Sequence, residues 1–491
     1  MNAPLMTLGQ VQQWLQAASG GAPVVLQGNA ASAITRVHTD SRSLERGDLF
    51  VALRGEKYDA NAFLQEAHAR GASAVLCHSG LAANLYPQGL PRIEVPDTTL
   101  ALGHLAQAWR AQFRIPLIAV TGSNGKTTVT QMIAAILQHH APDGAALATQ
   151  GNLNNAIGLP LTLLRLRATH RIAVVELGMN HPGEIAQLAA IAQPTVALVN
   201  NAQREHLEFM HTVDAVAAEN GAVLEALTPT GCAVFGLDDI YTDQWTAQNK
   251  AHHVLGFAAA RASARDGVFG EQSVWADGGW SVQARYQHGA ANGLLRYRLA
   301  IAGLHNVRNS WAAAACALAA GVSPASIERG LQTFMPVKGR SRALSLVWGG
   351  RSISLIDDSY NANPDSVQAA IDVLRDLPAP RLLVLGDMGE VGDQGPQLHA
   401  QAGSYACSQG IEQLLACGSL SQSTVQAFAH AGGQAQHFAD PSQLIQAVAQ
   451  ALTHSASVLV KGSRFMRMEK VIEALHDMAA HHTPGESAHA A

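Results

Sequence analysis

The chain has 491 residues, which suffice for three domains at roughly 100–200 residues each. Hydrophobic residues make up 48% of it, which excludes a disordered protein, and a net charge of −5 without blocks of like charge argues against a non-specific nucleic-acid surface. Its five cysteines form no CxxC pair, and no apolar run is long enough to span a membrane, so we expect a cytoplasmic protein without disulfides or membrane insertion.

Residues 1–113 predict a small α/β domain. Short apolar runs predict strands at 24–26, 48–53 and 74–77, with a helix at 98–112. The domain is expected to end before Ile115-Pro116, because proline disfavours helix in the residue before it.

Residues 114–335 predict a central domain built on a parallel sheet with helices on both faces. Continuous apolar runs predict its strands at 117–120, 172–175 and 196–199. Residues 260–300 instead alternate apolar and polar side chains, as half-exposed antiparallel strands do, before a helix at 305–320.

Residues 336–480 predict a third, Rossmann-like α/β domain, followed by a disordered tail at 481–491. Gly349-Gly350 between two strand-like runs predicts a hairpin, and Asn363-Pro364 predicts the start of a helix. Further strands are expected at 382–385, 413–417 and 458–460. The predicted fold class is therefore α/β with three domains.

The strongest signal for chemistry is the segment Val-Thr-Gly-Ser-Asn-Gly-Lys-Thr-Thr at 120–128, between an apolar strand and an apolar-periodic helix. The backbone N–H groups of such a loop, together with the N-terminus of the following helix, bind phosphate. Lys126 is expected to reach the β- and γ-phosphates of ATP, and the Thr127 hydroxyl to bind Mg²⁺. The predicted ATP-binding residues of this loop are Gly122, Ser123, Asn124, Gly125, Lys126, Thr127 and Thr128.

Two more candidates follow strands of the same predicted sheet. Glu176 ends the second of these strands, and His206 comes shortly after the third. Because ligands gather at the carboxyl ends of parallel strands, both are expected to face Lys126 and to hold the metal with Thr127. Taken singly, Glu176 is equally well a solvated carboxylate, and His206, one of 22 histidines, fits a surface or capping role better.

These stretches, in this order, resemble the ATP-dependent Mur ligases, and the resemblance covers nearly the whole chain. The residues that carry it are Thr39-Asp40-Ser41-Arg42 with the segment 50–55, the loop 122–128, the segments 154–158, 176–180 and 336–340, His305-Asn306 with Asn309, and the segment 357–363. The last of these reads Asp-Asp-Ser-Tyr-Asn-Ala-Asn, and the final domain has no Asp-Asn-Pro-Arg motif. Both features resemble the branch of the family that adds a dipeptide.

The resemblance implies that the first domain binds a uridine nucleotide through Ser41 and Arg42. The second would bind ATP and Mg²⁺, with Asn309 near the adenine. Asn154 and Asn155, also in the second domain, would face the sugar diphosphate of the substrate.

The third domain would act as a lid over the nucleotide. The resemblance implies that Arg340 and Asp358 lie near ATP, and that Asn361 and Asn363 lie near an incoming dipeptide.

The activity implied by the resemblance is the ligation of D-alanyl-D-alanine to UDP-N-acetylmuramoyl-tripeptide in peptidoglycan synthesis, by a monomeric enzyme. The terminal carboxylate of the tripeptide would take the γ-phosphoryl group of ATP, and the amine of the dipeptide would then displace phosphate from the acyl phosphate. The residues implied to be catalytic are Lys126, Glu176, His206 and Arg340.

Two alternatives share the phosphate loop. A folylpolyglutamate synthase would lack a uridine-type first domain, so residues 1–113 argue against it. A regulatory P-loop ATPase would hydrolyse ATP slowly and without dependence on an amino acid.

The chain departs from the family at one position. Relatives commonly carry a carbamylated lysine that ligates a second Mg²⁺ on the helix after the histidine, and Asn220 stands at that place here. Because asparagine cannot be carbamylated, we expect the second metal to rely on Glu176, His206 and substrate phosphate, with Glu219 as a further candidate ligand.

Overall fold

The computed structural model describes residues 4–55, 57–249, 253–261 and 265–481, and in these ranges three large sheets follow one another along the chain. The predicted tail at 481–491 lies outside the described residues apart from position 481. Within the described ranges, no helix is both long and apolar enough to cross a membrane.

The first sheet is formed by residues near the N-terminus. The elements of this part are β1 (Met6–Thr7), α1 (Leu8–Ala18), β2 (Val25–Gln27), β3 (Ala33–Ile34), β4 (Arg36–His38), β5 (Asp48–Val51), α2 (Leu64–Ala69), β6 (Ala74–His78), β7 (Arg92–Val95) and α3 (Thr98–Arg110). The sheet order is β2-β7-β6-β5-β4, with β4 to β7 parallel and β2 antiparallel at one edge. The carboxyl ends of four strands therefore lie at the same edge.

The central sheet has six parallel strands in the order β13-β12-β11-β8-β10-β9. Its elements are β8 (Leu117–Thr121), α4 (Lys126–His140), β9 (Ala146–Ala148), α5 (Gly158–Leu163), β10 (Ile172–Glu176), α6 (Glu184–Ala192), β11 (Val196–Val199), α7 (Leu207–Met210), α8 (Val213–Glu225), β12 (Cys232–Phe235), α9 (Thr242–Gln248) and β13 (His253–Val254). Strand β8 lies between β10 and β11, so the loop after β8 opens between the ends of those two strands.

A four-stranded sheet and two helices complete the central part. They are β14 (Gly256–Ala258), β15 (Gly267–Ala276), β16 (Gly279–His288), β17 (Ala291–Leu299), α10 (Leu304–Ala319) and α11 (Pro324–Thr333). Strands β15, β16 and β17 are antiparallel, as the alternation of apolar and polar residues predicts.

The third sheet has the order β18-β19-β23-β20-β21-β22, in which only the β18–β19 hairpin is antiparallel. Its elements are β18 (Arg342–Trp348), β19 (Arg351–Asp358), α12 (Pro364–Arg375), β20 (Arg381–Gly386), α13 (Gly395–Ser408), β21 (Gln413–Cys417), α14 (Ser421–His430), β22 (Gln434–Phe438), α15 (Pro441–Ala451), β23 (Ser457–Lys461) and α16 (Glu469–His481). Asn363 caps α12 and Pro364 opens it, as the sequence predicts. The α/β fold class is confirmed.

Two apolar cores fix the position of the central sheet. One joins the first and central parts through Leu102 and Leu105 of α3, which pack with the core on that face of the sheet. The other fills the space between the sheet, α4, α10 and the four-stranded sheet, and includes Ile133 and Trp311. Helix α4 is therefore packed on several sides, which restricts the movement of the loop that precedes it.

Gly330 permits the close packing of α11 against α4. A Cβ atom at this position would lie 2.3 Å from Ile136 Cα, a distance that requires the two helices to separate. We expect Gly330→Ala to lower the free energy of unfolding by about 1–3 kcal/mol, the usual cost of overpacking a core. Thermal unfolding followed by circular dichroism measures this loss.

Gln332→Ala is the matched control, because Gln332 is exposed on the same helix. It should leave the melting temperature unchanged. Equal melting temperatures for Gly330→Ala and wild type would contradict the close contact between α11 and α4.

Candidate active site

The loop between β8 and α4 approaches neighbouring side chains so closely that it needs glycine at two positions. Gly122 and Gly125 have φ angles of 133° and 81°, a region that favours glycine. A Cβ at Gly122 would lie 3.0 Å from Asn200 Cβ, and a Cβ at Gly125 would lie 2.7 Å from Asn309 Oδ1. The loop is thereby pressed against the end of β11 and the start of α10.

The buried side chains of Asn200, Asn306 and Asn309 support the loop through hydrogen bonds. Asn200 Nδ2 donates to the carbonyl of Asn124 at 2.8 Å and to Asn309 Oδ1 at 3.0 Å. Asn309 Nδ2 donates to Asn306 Oδ1 at 2.9 Å, and Asn306 Nδ2 donates to the carbonyl of Ala302 at 2.7 Å. The predicted adenine contact of Asn309 stays a prediction, and in the structure its side chain supports the phosphate loop.

Lys126 begins α4 and folds back over the loop. Its Nζ donates to the carbonyl oxygens of Gly122 at 2.6 Å and Ser123 at 3.0 Å, and to Glu205 Oε1 at 2.8 Å. These three acceptors use all the N–H groups of the ammonium, and the contact of Lys126 with phosphate oxygens stays a prediction.

Thr127 and Glu176 provide oxygen atoms beside the loop. The Thr127 hydroxyl donates to Glu176 Oε1 at 3.2 Å, and Asn154 Nδ2 donates to the same carboxylate oxygen at 2.7 Å. The backbone N–H of Glu176 donates to Thr149 Oγ1 at 3.0 Å, which fixes the end of β10. Thr127 and Glu176 fit Mg²⁺, which is commonly held by one or two protein oxygens together with substrate phosphates.

The His206 ring lies between two carboxylates. Its Nε2 is 3.4 Å from Glu205 Oε1, and its Nδ1 contacts Oε2 of Glu390, a residue of the loop that follows β20. Burial lowers the pKa of His206, but these two carboxylates outweigh burial and raise it to about 9. Within the described residues, no group of three or more His, Cys, Asp or Glu side chains is arranged to hold a metal.

Glu205 connects His206 to the phosphate loop. Burial raises the pKa of Glu205, but the charges of Lys126 and His206 outweigh burial and hold it below the ordinary value. Its Oε2 is buried and has no hydrogen-bond partner within the described part of the chain. Glu205 is thus an anion held between two cationic groups.

Arg340 reaches the loop from the third part of the chain. Its guanidinium lies over the ring of Tyr360, with Cζ 4.1 Å from the ring centroid, and its Nη2 is 3.4 Å from Thr127 Oγ1. Arg464 lies near the same ring, with Cζ 5.3 Å from the centroid. Arginine side chains from the third part therefore enter the surroundings of the phosphate loop.

The two adjacent acids at the end of β19 have separate roles. Asp357 accepts from the backbone N–H of Gly339 at 2.9 Å and from the Ser359 hydroxyl, and so holds the turn before β18. Asp358 accepts from Lys461 Nζ at 2.6 Å and from the backbone N–H of Ser341 at 2.9 Å. Burial raises the pKa of Asp358, but Lys461 outweighs burial and lowers it overall.

Further contacts join the third part to the central part. Asn363 Nδ2 donates to Asn124 Oδ1 at 3.0 Å, in addition to its capping of α12. Arg204 donates from Nη2 to Asp365 Oδ1 at 2.7 Å and from its backbone N–H to Asp365 Oδ2 at 2.7 Å. The phosphate loop and the start of α12 are therefore in direct contact.

One cavity of about 900 Å³ brings these groups together. All the predicted site residues line it except Gly122, Ser41, Arg42 and Glu219. Ser41 and Arg42 lie on a short turn after β4, where Arg42 pairs with Asp40 at 2.8 Å and is 83% exposed. Their predicted contact with a nucleotide stays a prediction.

Two of the lining asparagines also have local structural roles. Asn155 Oδ1 accepts from the backbone N–H of Gly158 at 2.9 Å, at the start of α5. Asn361 Oδ1 accepts from the backbone N–H of Ala362 at 2.9 Å, and its carbonyl accepts from Lys461. Their predicted substrate contacts are untested.

Several residues of the site have no counterpart in the sequence-based prediction, namely Asn200, Arg204, Glu205, Asp365, Glu390 and Lys461. Glu205 directly precedes His206, and Lys461 ends a buried apolar strand, so position after a strand could have indicated both. The sequence gives no such signal for Glu390 and Asp365, because each contacts a residue that is distant in the sequence.

The site combines a phosphate loop at the end of a parallel sheet with arginines from a separate α/β domain. This combination defines a multidomain nucleotide-dependent enzyme. Family models match this chain in three places. They are the Mur ligase family catalytic domain at 33–110, the Mur ligase middle domain at 120–317, and the Mur ligase glutamate ligase domain at 322–464.

The chain belongs to the Mur ligase family, as full-length relatives show. It is 37% identical to the UDP-N-acetylmuramoyl-tripeptide–D-alanyl-D-alanine ligase of Escherichia coli K12, covering 96% of this chain and 98% of that one. It is 36% identical to the enzyme of the same name from Haemophilus influenzae, covering 90% and 94% of the two chains. The crystal structure of MurF from Acinetobacter baumannii matches with a TM-score of 0.84 at 32% identity, covering 97% of this chain and 99% of that chain.

Glu219, the further candidate for the second metal, contacts the N-terminus of α6 in the structure. Its carboxylate accepts from the backbone N–H groups of Gly183 and Ile185, both at 2.8 Å, at the N-terminus of α6. A carboxylate in this position is stabilised by the unpaired N–H groups and the dipole of the helix. Glu219 does not line the cavity, and its contact with the metal stays a prediction.

Asn220 is fully buried beneath the loop. Its Oδ1 accepts from the Thr121 hydroxyl at 2.6 Å, and its Nδ2 donates to the carbonyl of Val216 at 3.0 Å. A short amide with both of its groups engaged replaces the carbamylated lysine that the family resemblance implies.

We therefore expect catalysis to be independent of carbon dioxide. Activity measured in degassed buffer should equal activity in the same buffer with added bicarbonate, because Asn220 cannot form a carbamate. A loss of activity on degassing that bicarbonate reverses would contradict this expectation and would require a lysine from another segment.

Proposed function

We propose that this protein is an ATP-dependent ligase that joins D-alanyl-D-alanine to UDP-N-acetylmuramoyl-tripeptide in peptidoglycan synthesis. The observation that supports this chemistry is the position of Arg340. Its Nη2 lies 3.4 Å from Thr127 Oγ1, so a residue of the third domain adds a cation beside the phosphate loop. The choice of substrates is supported by relatives of that name, which match nearly the full length of the chain.

The proposed enzyme has domains at 1–113, 114–335 and 336–480, a division that the three separate sheets support. Its cytoplasmic location is supported by five free cysteines, which suit a reducing compartment. We propose that it acts as a monomer, since one chain supplies all the groups of the cavity described above.

The first step needs positive charge. A carboxylate is a poor acyl donor because oxide is a poor leaving group. The tripeptide carboxylate therefore attacks the γ-phosphorus of ATP, ADP leaves, and the carboxylate becomes an acyl phosphate. The attack brings two anions together, and preorganised cations lower the cost of doing so. Lys126 on the loop and Arg340 from the third domain would flank the transferring group.

Thr127 and Glu176 would hold Mg²⁺, with His206 as a third proposed ligand once the cation has displaced the proton from its ring. When bound, the metal would neutralise charge on the phosphate oxygens. Asn154 fixes the Glu176 carboxylate through its 2.7 Å hydrogen bond, so that the oxygen facing the loop keeps its position.

The second step joins the dipeptide. Its amine attacks the acyl carbon, and phosphate leaves from the tetrahedral intermediate. We propose that Asn361 and Asn363, which both line the cavity, orient the dipeptide. The contact of Asn363 with Asn124 ties that wall to the phosphate loop, and closure of this interface would keep water from hydrolysing the acyl phosphate.

Phosphate release in defined mixtures tests the proposed function. The complete mixture contains ATP, Mg²⁺, D-alanyl-D-alanine and the UDP-linked tripeptide, offered in both its diaminopimelate and lysine forms. Release should require both peptide substrates, and mass spectrometry should show the pentapeptide nucleotide. Release that is slow and independent of both peptides would indicate a regulatory ATPase instead.

Lys126→Ala should abolish ligation without unfolding the protein. Removing a charge-stabilising donor from such a site typically costs roughly 10²–10³-fold in rate. The measurement is kcat for pentapeptide formation, with circular dichroism to confirm the fold.

Lys470→Ala is the control, because Lys470 is exposed on α16 and its removal changes the net charge equally. It should retain wild-type turnover. Near wild-type turnover in Lys126→Ala would show that the loop takes no part in the reaction.

A further inference from the structure

The C-terminal carboxylate of D-alanyl-D-alanine requires a partner in the cavity. The dipeptide reacts through its amine, and its carboxylate stays an anion throughout the reaction. Taking a carboxylate out of water costs free energy unless it meets a cation or hydrogen-bond donors. Asn361 and Asn363, the residues proposed to orient the dipeptide, are neutral amides. A cationic side chain on the third-domain wall of the cavity is therefore expected to bind this carboxylate.

Most of the lysine and arginine side chains that line the cavity already have acceptors. Lys126 donates to three oxygens of the central domain. Arg308 donates to both carboxylate oxygens of Asp238. Lys461 is buried and donates to Asp358 at 2.6 Å and to a backbone carbonyl at 2.8 Å. These three cations are engaged by groups of the protein itself.

Arg464 keeps most of its donors available to a ligand. A guanidinium presents five N–H donors, and among the described residues the acceptor for Arg464 is Glu469, whose Oε1 lies 3.1 Å from Nη1. The Arg464 side chain lines the cavity and is 63% exposed. Its planar, forked group is the kind that binds a carboxylate through two parallel hydrogen bonds.

The position of Arg464 suits the length of a dipeptide. Tyr360 contacts both Arg340 and Arg464, whose Cζ atoms lie 4.1 and 5.3 Å from the ring centroid. Arg340 lies at the phosphate loop, since its Nη2 is 3.4 Å from Thr127 Oγ1. An extended dipeptide spans about 7 Å. An amine placed at the acyl phosphate beside the loop therefore leaves its own carboxylate within reach of Arg464.

We propose that Arg464 binds the C-terminal carboxylate of D-alanyl-D-alanine, so that the enzyme selects acyl acceptors with a free carboxylate. This inference rests on the proposed function. Phe465 follows Arg464, lines the same cavity and is 65% exposed, so apolar surface for a methyl side chain adjoins the guanidinium. Arg464 is thus a specificity-determining residue for the second substrate.

The test compares two acyl acceptors that differ in their C-terminal group. D-alanyl-D-alanine carries a carboxylate, whereas D-alanyl-D-alaninamide carries a neutral amide and the same reacting amine. Formation of the product nucleotide by the full-length protein gives kcat and KM for each acceptor. The KM values for ATP and for the UDP-linked tripeptide are measured with D-alanyl-D-alanine as acceptor.

Wild type should use the acid about 10–100-fold more efficiently than the amide in kcat/KM, the range expected for hydrogen bonds to a charged group. Arg464→Ala should raise the KM for the acid by a similar factor and leave kcat/KM for the amide unchanged. Arg464→Lys should recover part of the preference, because it keeps the charge without the planar fork. The KM values for ATP and the tripeptide should be the same in all three proteins.

Two control variants separate this role from structural effects. Glu469→Gln removes the charged partner of Arg464, and Lys470→Ala removes an equal positive charge from an exposed position on α16. Both should keep the wild-type preference for the acid. A loss of preference in Glu469→Gln equal to that in Arg464→Ala would overturn the inference, because it would assign the effect to the ion pair.

An unchanged preference in Arg464→Ala would also overturn the inference, as would equal losses of kcat/KM for the acid and the amide. A rise in the KM for ATP or the tripeptide in place of the KM for D-alanyl-D-alanine would contradict it as well, because Arg464 would then bind another anion. Failure of the proposed function is distinguishable, because wild type would then form no product nucleotide from either acceptor.

Discussion

The site depends on the close approach of the loop 122–125 to the buried amides of Asn200 and Asn309. That approach leaves no room for a side chain at Gly125, and it gives the backbone carbonyl of Asn124 a hydrogen-bond donor. Because α4 starts directly after the loop and packs in the core, Lys126 and Thr127 take fixed positions. The position of every other functional group is set relative to these two residues.

Opposite charges from different domains meet at this loop. Lys126, Glu205, His206 and Glu390 form a row in which basic and acidic groups alternate, and the row runs from the central sheet to the third. In a partly buried setting such pairs interact more strongly than at the surface, while an unpaired member would be costly. This gives a physical reason for the two domains to meet at the place where ATP would bind.

Local signals in the sequence predict part of this arrangement. The phosphate loop can be predicted because its strand, turn and helix are contiguous in the sequence, and Glu176 can be predicted because it ends a buried strand. The family resemblance implies a place in the site for Arg340 and Asn363, and both lie beside the phosphate loop. Glu390 could not be found from the sequence, since its contact with His206 depends on how two separately folded sheets face each other. The contact of Glu219 with the N-terminus of α6 could not be predicted either, because sequence position does not show that this end of the helix lies beside it.

The central claim is that phosphoryl transfer to a carboxylate takes place in the cavity between the central and third domains. The most direct measurement uses tripeptide nucleotide labelled with ¹⁸O in its terminal carboxylate, with mass analysis of the phosphate released during ligation. The account predicts one ¹⁸O atom in each phosphate, because the carboxylate oxygen stays with phosphorus when the amide forms. Unlabelled phosphate released together with amide product would contradict the account.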